Sequence, residues 1–204
     1  MKQSIDCPCG KDFTVEAGDE IDLDQNPECL DRICDGSFMS FECPGCGKIH
    51  RPEYPVMLLW PSKKLKLEVL PELDRGAFYR RKKESAGVET IISYIELADR
   101  LAVIRDGLEP AAIEALKFYL LVKAEETYPD LNISAWYHGK EPSGIEFHLH
   151  GIKADEIAVM RVPLQLYDKT VEEYRTHPKK EIFVSLRKRS YLSVQNIFKP
   201  DVLQ

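Results

Sequence analysis

The sequence predicts an α+β protein in two parts: a small β module folded around paired cysteines with a short helix inserted, then a larger α+β domain with an antiparallel sheet. Three observations carry that reading. Cysteines pair at Cys7-Pro8-Cys9-Gly10 and again at Cys43-Pro44-Gly45-Cys46-Gly47. Two helices are punctuated by Ser93, Gly107, Pro110 and Pro129. Beyond them, alternating apolar and polar residues from Leu131 to Val162 read as strands. The boundaries that follow are a cysteine module over 1–73, a charged linker over 74–87 and an α+β domain over 88–204.

In the first module, Ser4 to Cys9 and Phe13 to Ala17 read as a hairpin around the first cysteine pair. Pro27 to Cys34 reads as a short helix, and Ser37 to Glu42 with His50 to Trp60 as strands flanking the second pair. Cys29 and Cys34 lie five positions apart in that helix, which turns them about 140° from each other. They cannot grip one ion together from an intact helix, and they read as small buried hydrophobes. Leu65 to Leu70 continues as strand. Asp74 to Gly87, which contains Arg80-Arg81-Lys82-Lys83, reads as a solvated linker.

Val88 to Ile92 reads as a strand. Ser93 and Glu96 form a capping-box pattern for a helix running to Arg105, with Asp106-Gly107 as its stop. Pro110 opens a second helix at a position where its missing N–H costs nothing, and Pro129 ends it. Ala112, Leu116, Tyr119 and Leu120 fall on its core side. Leu131 to Tyr137 and Ile145 to His150 pair as a hairpin through the loop Gly139 to Gly144, and a strand follows over Ile157 to Val162. Pro163 to Arg175 reads as helix, Ile182 to Leu186 as strand, and Ser190 to Phe198 as a short helix.

The paired cysteines carry the chemistry. Thiolates one to four residues apart can grip one metal from a tight turn, and two such turns complete the tetrahedron that Zn²⁺ favours in closed structural sites. Glycine after the second cysteine of each pair suits a turn needing positive φ, and proline after the first presets its entry. The ligand set is therefore Cys7, Cys9, Cys43 and Cys46, and the module is zinc-ribbon-like. Four thiolates also suit iron, and free thiols or a disulfide are the plain alternative. The first knuckle, CPC, is one residue shorter than the CPxC of the second, so its turn has a different geometry.

These residues resemble the CpXC family, prokaryotic proteins named for two such motifs. The resemblance extends to Asn26-Pro27-Glu28 with Leu30 to Gly36, to Phe41 through Gly47, and to Ile95 through Leu101 with Gly107-Leu108-Glu109. It covers the chain to about residue 125, and CPC departs from the family's CPxC. What it implies is a metal-binding module without an assigned activity.

Composition bounds the function. With 204 residues, 44% of them hydrophobic, the chain can build a sizeable core. Met1 to Asp6 holds no signal-like apolar stretch and no apolar run is long enough to span a bilayer, so a cytoplasmic location is expected, where reduced thiols favour metal over disulfide. Residues 1–60 carry five Lys/Arg against twelve Asp/Glu, and the remainder is nearly balanced. Nucleic-acid binding depends on neutralising phosphates, so this acidic ribbon is a poor candidate for it.

A second constellation sits on the hairpin. Glu146, His148 and His150 alternate with Phe147 and Leu149, and on a strand such residues share a face. A carboxylate and two imidazoles suit catalytic zinc or non-haem iron. The three span about 13 Å along one strand, so at most two neighbours could close on one ion. A third ligand must come from elsewhere, with His138, His50 and Asp155 as candidates. The chain contains no GxGxxG, GxxxxGK[ST], GxSxG or HExxH pattern. The sequence thus reads as a cytoplasmic protein with a structural Zn²⁺, binding another protein or itself. The alternatives are a metal-dependent enzyme on the Glu146/His148/His150 face and a nucleic-acid-binding ribbon.

Overall fold

In the computed structural model, which describes residues 2–82 and 86–198, the chain is a mixed α+β protein. It divides into two compact units, one ending at Ala98 and the other beginning at Asp99. The division falls inside a helix.

The first unit opens with the antiparallel hairpin β1 (Lys2–Asp6) and β2 (Asp12–Glu16). The short strand β3 (Glu20–Asp22) leads to helix α1 (Pro27–Cys34), whose bounds match the sequence reading. Proline supplies the first turn, where no N–H is needed. A second hairpin, β4 (Phe41–Glu42) with β5 (Ile49–His50), holds the second cysteine pair. The strands expected over Ser37 to Glu42 and His50 to Trp60 are shorter than predicted. Residues 37–40 make a turn in which Ser37 N donates to Asp35 Oδ1, and Pro52 and Pro55 remove ladder donors before β6 (Val56–Trp60) begins.

Strand β6 pairs antiparallel with β7 (Leu65–Leu70), β7 pairs parallel with β8 (Glu89–Ile92), and β3 adds in parallel to the far side of β6. Val56, Leu58, Leu67, Val69, Ile91 and Ile92 are buried along this sheet. Within the stretch expected as a solvated linker, Arg75–Arg80 is helix α2. It buries Phe78 and Arg75, and the Arg75 guanidinium pairs with Glu96 at 2.6 Å. Arg81 of the basic run pairs with Glu68 at 2.9 Å, while Lys83 lies outside the described residues.

Helix α3 (Tyr94–Arg105) starts where the capping pattern placed it, with Glu96 N donating to Ser93 Oγ at 3.3 Å. The reciprocal half does not form. The Glu96 carboxylate turns to Arg75, and Ser93 N donates instead to the Leu70 carbonyl. Gly107, at φ 71°, ends the helix.

In the second unit, helix α4 (Pro110–Thr127) is buried on every side of its first half, from Ala111 through Lys117. Tyr119, expected in the core, is 45% exposed. Strands β9 (Ser134–Glu141), β10 (Gly144–Lys153) and β11 (Glu156–Val162) form an antiparallel sheet with β10 in the centre. The loop expected over Gly139 to Gly144 is a tight turn at Pro142 and Ser143, because the ladder carries β9 through Glu141. One face of the sheet buries Ala135, Tyr137, Phe147 and Leu149 in a continuous core with Ile113, Leu116 and Val171.

Helix α5 (Leu164–Thr176) follows Pro163 as predicted. Ile182 to Leu186, read as strand from its apolar β-formers, is instead helix α6 (Glu181–Ser185), which buries Phe183. Tertiary burial overrides that propensity. The short hairpin β12 (Arg187–Lys188) and β13 (Tyr191–Leu192) precedes helix α7 (Gln195–Phe198), so only the last part of Ser190 to Phe198 is helical.

Candidate metal centre

Each cysteine pair sits on the turn of a hairpin. In the first, Cys7 N donates to the Lys11 carbonyl and Gly10 N to the Cys7 carbonyl. In the second, Cys43 N donates to the Lys48 carbonyl and Gly47 N to the Cys43 carbonyl. The CPC knuckle therefore closes a loop one residue tighter than CPGC. Gly10 at φ 86° and Gly47 at φ 73° take the left-handed conformation that the sequence assigned to them.

The two turns bring Cys7, Cys9, Cys43 and Cys46 into one cluster, all sulfurs lying within 4.8 Å of one another. Cys7 Sγ lies 3.6 Å from Cys46 Sγ, and Cys9 Sγ lies 3.7 Å from Cys43 Sγ. A tetrahedral zinc with Zn–S bonds near 2.3 Å sets its sulfurs about 3.8 Å apart. The donor set fits such an ion in number, chemistry and spacing. Cys7 and Cys43 are buried, while Cys9 and Cys46 face solvent.

The electrostatics are those of a thiolate knuckle. Gly45 N lies 3.4 Å from Cys43 Sγ. That amide and the N–H of Cys46 stabilise the anion against desolvation, bringing the Cys43 thiol down to about 6. For Cys7, the backbone N–H of Cys9 favours the thiolate, but burial and the neighbouring sulfurs outweigh it and carry the thiol up to about 12. Four adjacent sulfurs cannot all carry charge unaided, and a divalent cation among them would favour the thiolate forms.

His50, a candidate third ligand for the hairpin constellation in the sequence, sits instead at the cysteines, its Nε2 3.3 Å from Cys7 Sγ, where an N–H can donate to the sulfur. Its position follows from β5, which carries the chain back past the first knuckle. Cys29 and Cys34 lie outside the cluster, as the helical geometry required. Burial pushes the Cys29 thiol upward, away from the thiolate that binds metal. In the same unit, Ile33, Phe38 and Tyr94 help line a cavity of about 500 Å³ that Arg51 and Glu53 also border.

A second group forms on the outer side of β9 and β10. His138, Glu146 and His148 converge, whereas His150, offered by the sequence as a member, does not join them. His138, one of three candidates the sequence offers for the third ligand without placing it, is supplied by the neighbouring strand. There the register shifts between Glu146 paired with Gly139 and Phe147 paired with Tyr137, leaving His138 as the extra residue of a bulge. Asp155 sits in the turn between β10 and β11 at φ 58° and is not part of the group.

Among the described residues, no helix is long and apolar enough to cross a membrane. The family described as CpXC protein matches the chain over residues 5–117. An uncharacterized protein of Treponema pallidum (strain Nichols) is 31% identical over 213 residues, covering 94% of this chain and 96% of that protein. No solved structure matches.

Proposed function

The chain belongs to the CpXC family, and from that premise we propose that it is a cytoplasmic zinc-binding protein whose metal is structural and which acts by binding another protein or a second copy of itself. The observation that carries the zinc is the spacing of the four sulfurs, 3.6 and 3.7 Å across the cluster. Two of the four are buried, which suits a closed structural site better than an open reactive one. The zinc-ribbon reading of the module draws on the same two hairpin turns.

The binding role draws on charge and shape. Residues 1–60 carry a net charge of −7 before any thiolate is counted, which opposes phosphate backbones. The cavity beside Ile33, Phe38 and Tyr94 offers an apolar wall with Arg51 and Glu53 near it, a combination suited to a peptide segment. A metal-dependent enzyme is the second reading, favoured by the convergence of His138, Glu146 and His148.

The deciding experiment is elemental analysis of protein purified without added metal, dialysed against a weak chelator. One zinc per chain that is lost with Cys43→Ser and Cys46→Ser is the expected result. Iron in its place, or no metal, overturns the zinc reading. For the partner class, a sub-micromolar and salt-sensitive complex with DNA or RNA near physiological ionic strength overturns the choice of protein.

A further inference from the structure

We propose that His138, Glu146 and His148 form a second metal site, independent of the cysteines, that takes a divalent first-row transition ion such as Zn²⁺ or Co²⁺ and leaves part of its coordination sphere open to solvent. The site lies beyond residue 117, where the match to the family ends. It rests on the geometry of the β9–β10–β11 sheet.

The donors are right in kind. Two imidazoles and one carboxylate make up a ligand set that binds zinc with a position left for water. They are also right in place. His148 Nε2 lies 3.2 Å from Glu146 Oε1, and His138 Nε2 lies 3.8 Å from the same oxygen. Bonds of about 2.0–2.1 Å in a tetrahedron put donors about 3.3 Å apart, so the first pair is already at that spacing and the second must close by about half an ångström. His138 can supply that motion, since its side chain is 57% exposed.

The carboxylate is held in advance. Arg161 on β11 donates from Nε to Glu146 Oε2 at 3.0 Å, leaving Oε1 to face the two rings. A partner that fixes a ligand's orientation is the usual companion of a metal-binding carboxylate.

The two rings set what has to move. They stack with centroids 3.8 Å apart and 14° between planes. Their in-plane lone pairs run in nearly parallel planes, so the exposed His138 ring must turn as it closes on the ion, while Glu146 and His148 are already at ligand spacing. Glu146 is buried, whereas the two histidines are partly open, so the ion would be held from below and exposed from above.

The test is a Co²⁺ titration of the metal-free full chain, read by absorption. We expect two equivalents, one showing thiolate-to-cobalt charge transfer and one lacking it. The His138→Gln/His148→Gln double variant should lose only the second. A wild-type chain that takes up cobalt at the cysteines alone, or a second equivalent that survives the double variant, overturns the site. A chain showing only the histidine-dependent equivalent supports it while overturning the cysteine reading. Should the double variant fail to fold, His138→Gln decides alone. Losing this ligand should weaken the second equivalent by at least the ~10–100-fold that outer-sphere changes cost, and unchanged affinity overturns the proposal.

Discussion

Around the four cysteines, residues 2–50 bury Ile5, Val15, Ile33 and Phe38 from separate short elements, whereas the second unit gathers Ile113, Leu116, Ile145, Phe147 and Leu186 into one continuous cluster. Hairpins of five and two residues per strand cannot by themselves offset the entropy of ordering their turns. A cross-link is needed, and the sulfurs are placed to provide one through metal. The second unit has core to spare. It encloses Lys117 between Asp99 and Glu114, all three buried, with the lysine ammonium 2.7 Å from Glu114 and bonded to Asp99 as well. The remaining carboxylate oxygens accept from Tyr137 N at 2.6 Å and Val194 N at 2.7 Å. One region is thus suited to stabilisation by ligation, the other by apolar packing around a satisfied charge network.

The sharpest way to break this comparison is to remove the ligands. Cys43→Ser with Cys46→Ser should abolish zinc binding and unfold the cysteine region, because binding to structural sites of this type is worth on the order of 10 kcal/mol. Hydrogen exchange should show amides of β1, β2, β4 and β5 losing protection while those of β9 to β11 keep theirs. Equal loss in both regions, or none in either, would remove the distinction.

Next in size is the charge network. Lys117→Met leaves Asp99 and Glu114 buried without their cation, which should cost about 3–5 kcal/mol, measured by urea unfolding. Desolvation pulls the Lys117 ammonium down, but Asp99 and Glu114 more than offset it, so its pKa is raised above the ordinary lysine value. A group raised on folding contributes stability that is complete below its unfolded pKa and lost only as pH rises through the folded one. The gap between variant and wild type should therefore not shrink from neutral pH to about pH 9, and it should widen with pH, because desolvation raises the Asp99 carboxyl and Lys117 no longer offsets it in the variant. A gap that shrinks across that window would mean the ammonium is losing its proton there.

What the sequence revealed of these two regions follows from how local each signal is. The knuckles and helix α1 were readable because Pro8, Gly10, Pro27, Pro44 and Gly47 act within a few residues of themselves. His138 could be named as a candidate but not chosen over His50 and Asp155, since its meeting with Glu146 and His148 depends on a bulge in the pairing of two strands. Lys117 was hidden for a similar reason. Its i,i+3 relation to Glu114 resembles an ordinary surface pair, and only the wholly apolar surroundings of Ala111 through Leu116 hint that both are buried. Glu96 was drawn from its helix cap by Arg75, a residue 21 positions earlier. Ile182 to Leu186 misled because Ile and Val favour strands, whereas burial of Phe183 selects a helix.

The smallest expected effect concerns the two cysteines that stand apart. Cys29 and Cys34 occupy the same helix about 140° from each other, both are only partly buried, and neither belongs to the sulfur cluster. Burial also disfavours the Cys29 thiolate, the form in which it would bind metal. Changing both to alanine removes two sulfur atoms from half-buried positions, and alanine favours the helix. The stability of the first unit should fall by no more than about 1 kcal/mol, with zinc per chain unchanged by elemental analysis. Loss of zinc in this variant would mean that the short Cys7-Pro8-Cys9 turn shares its place with a helix cysteine. The cross-link would then reach into α1, and the region stabilised by ligation would extend beyond the two hairpins.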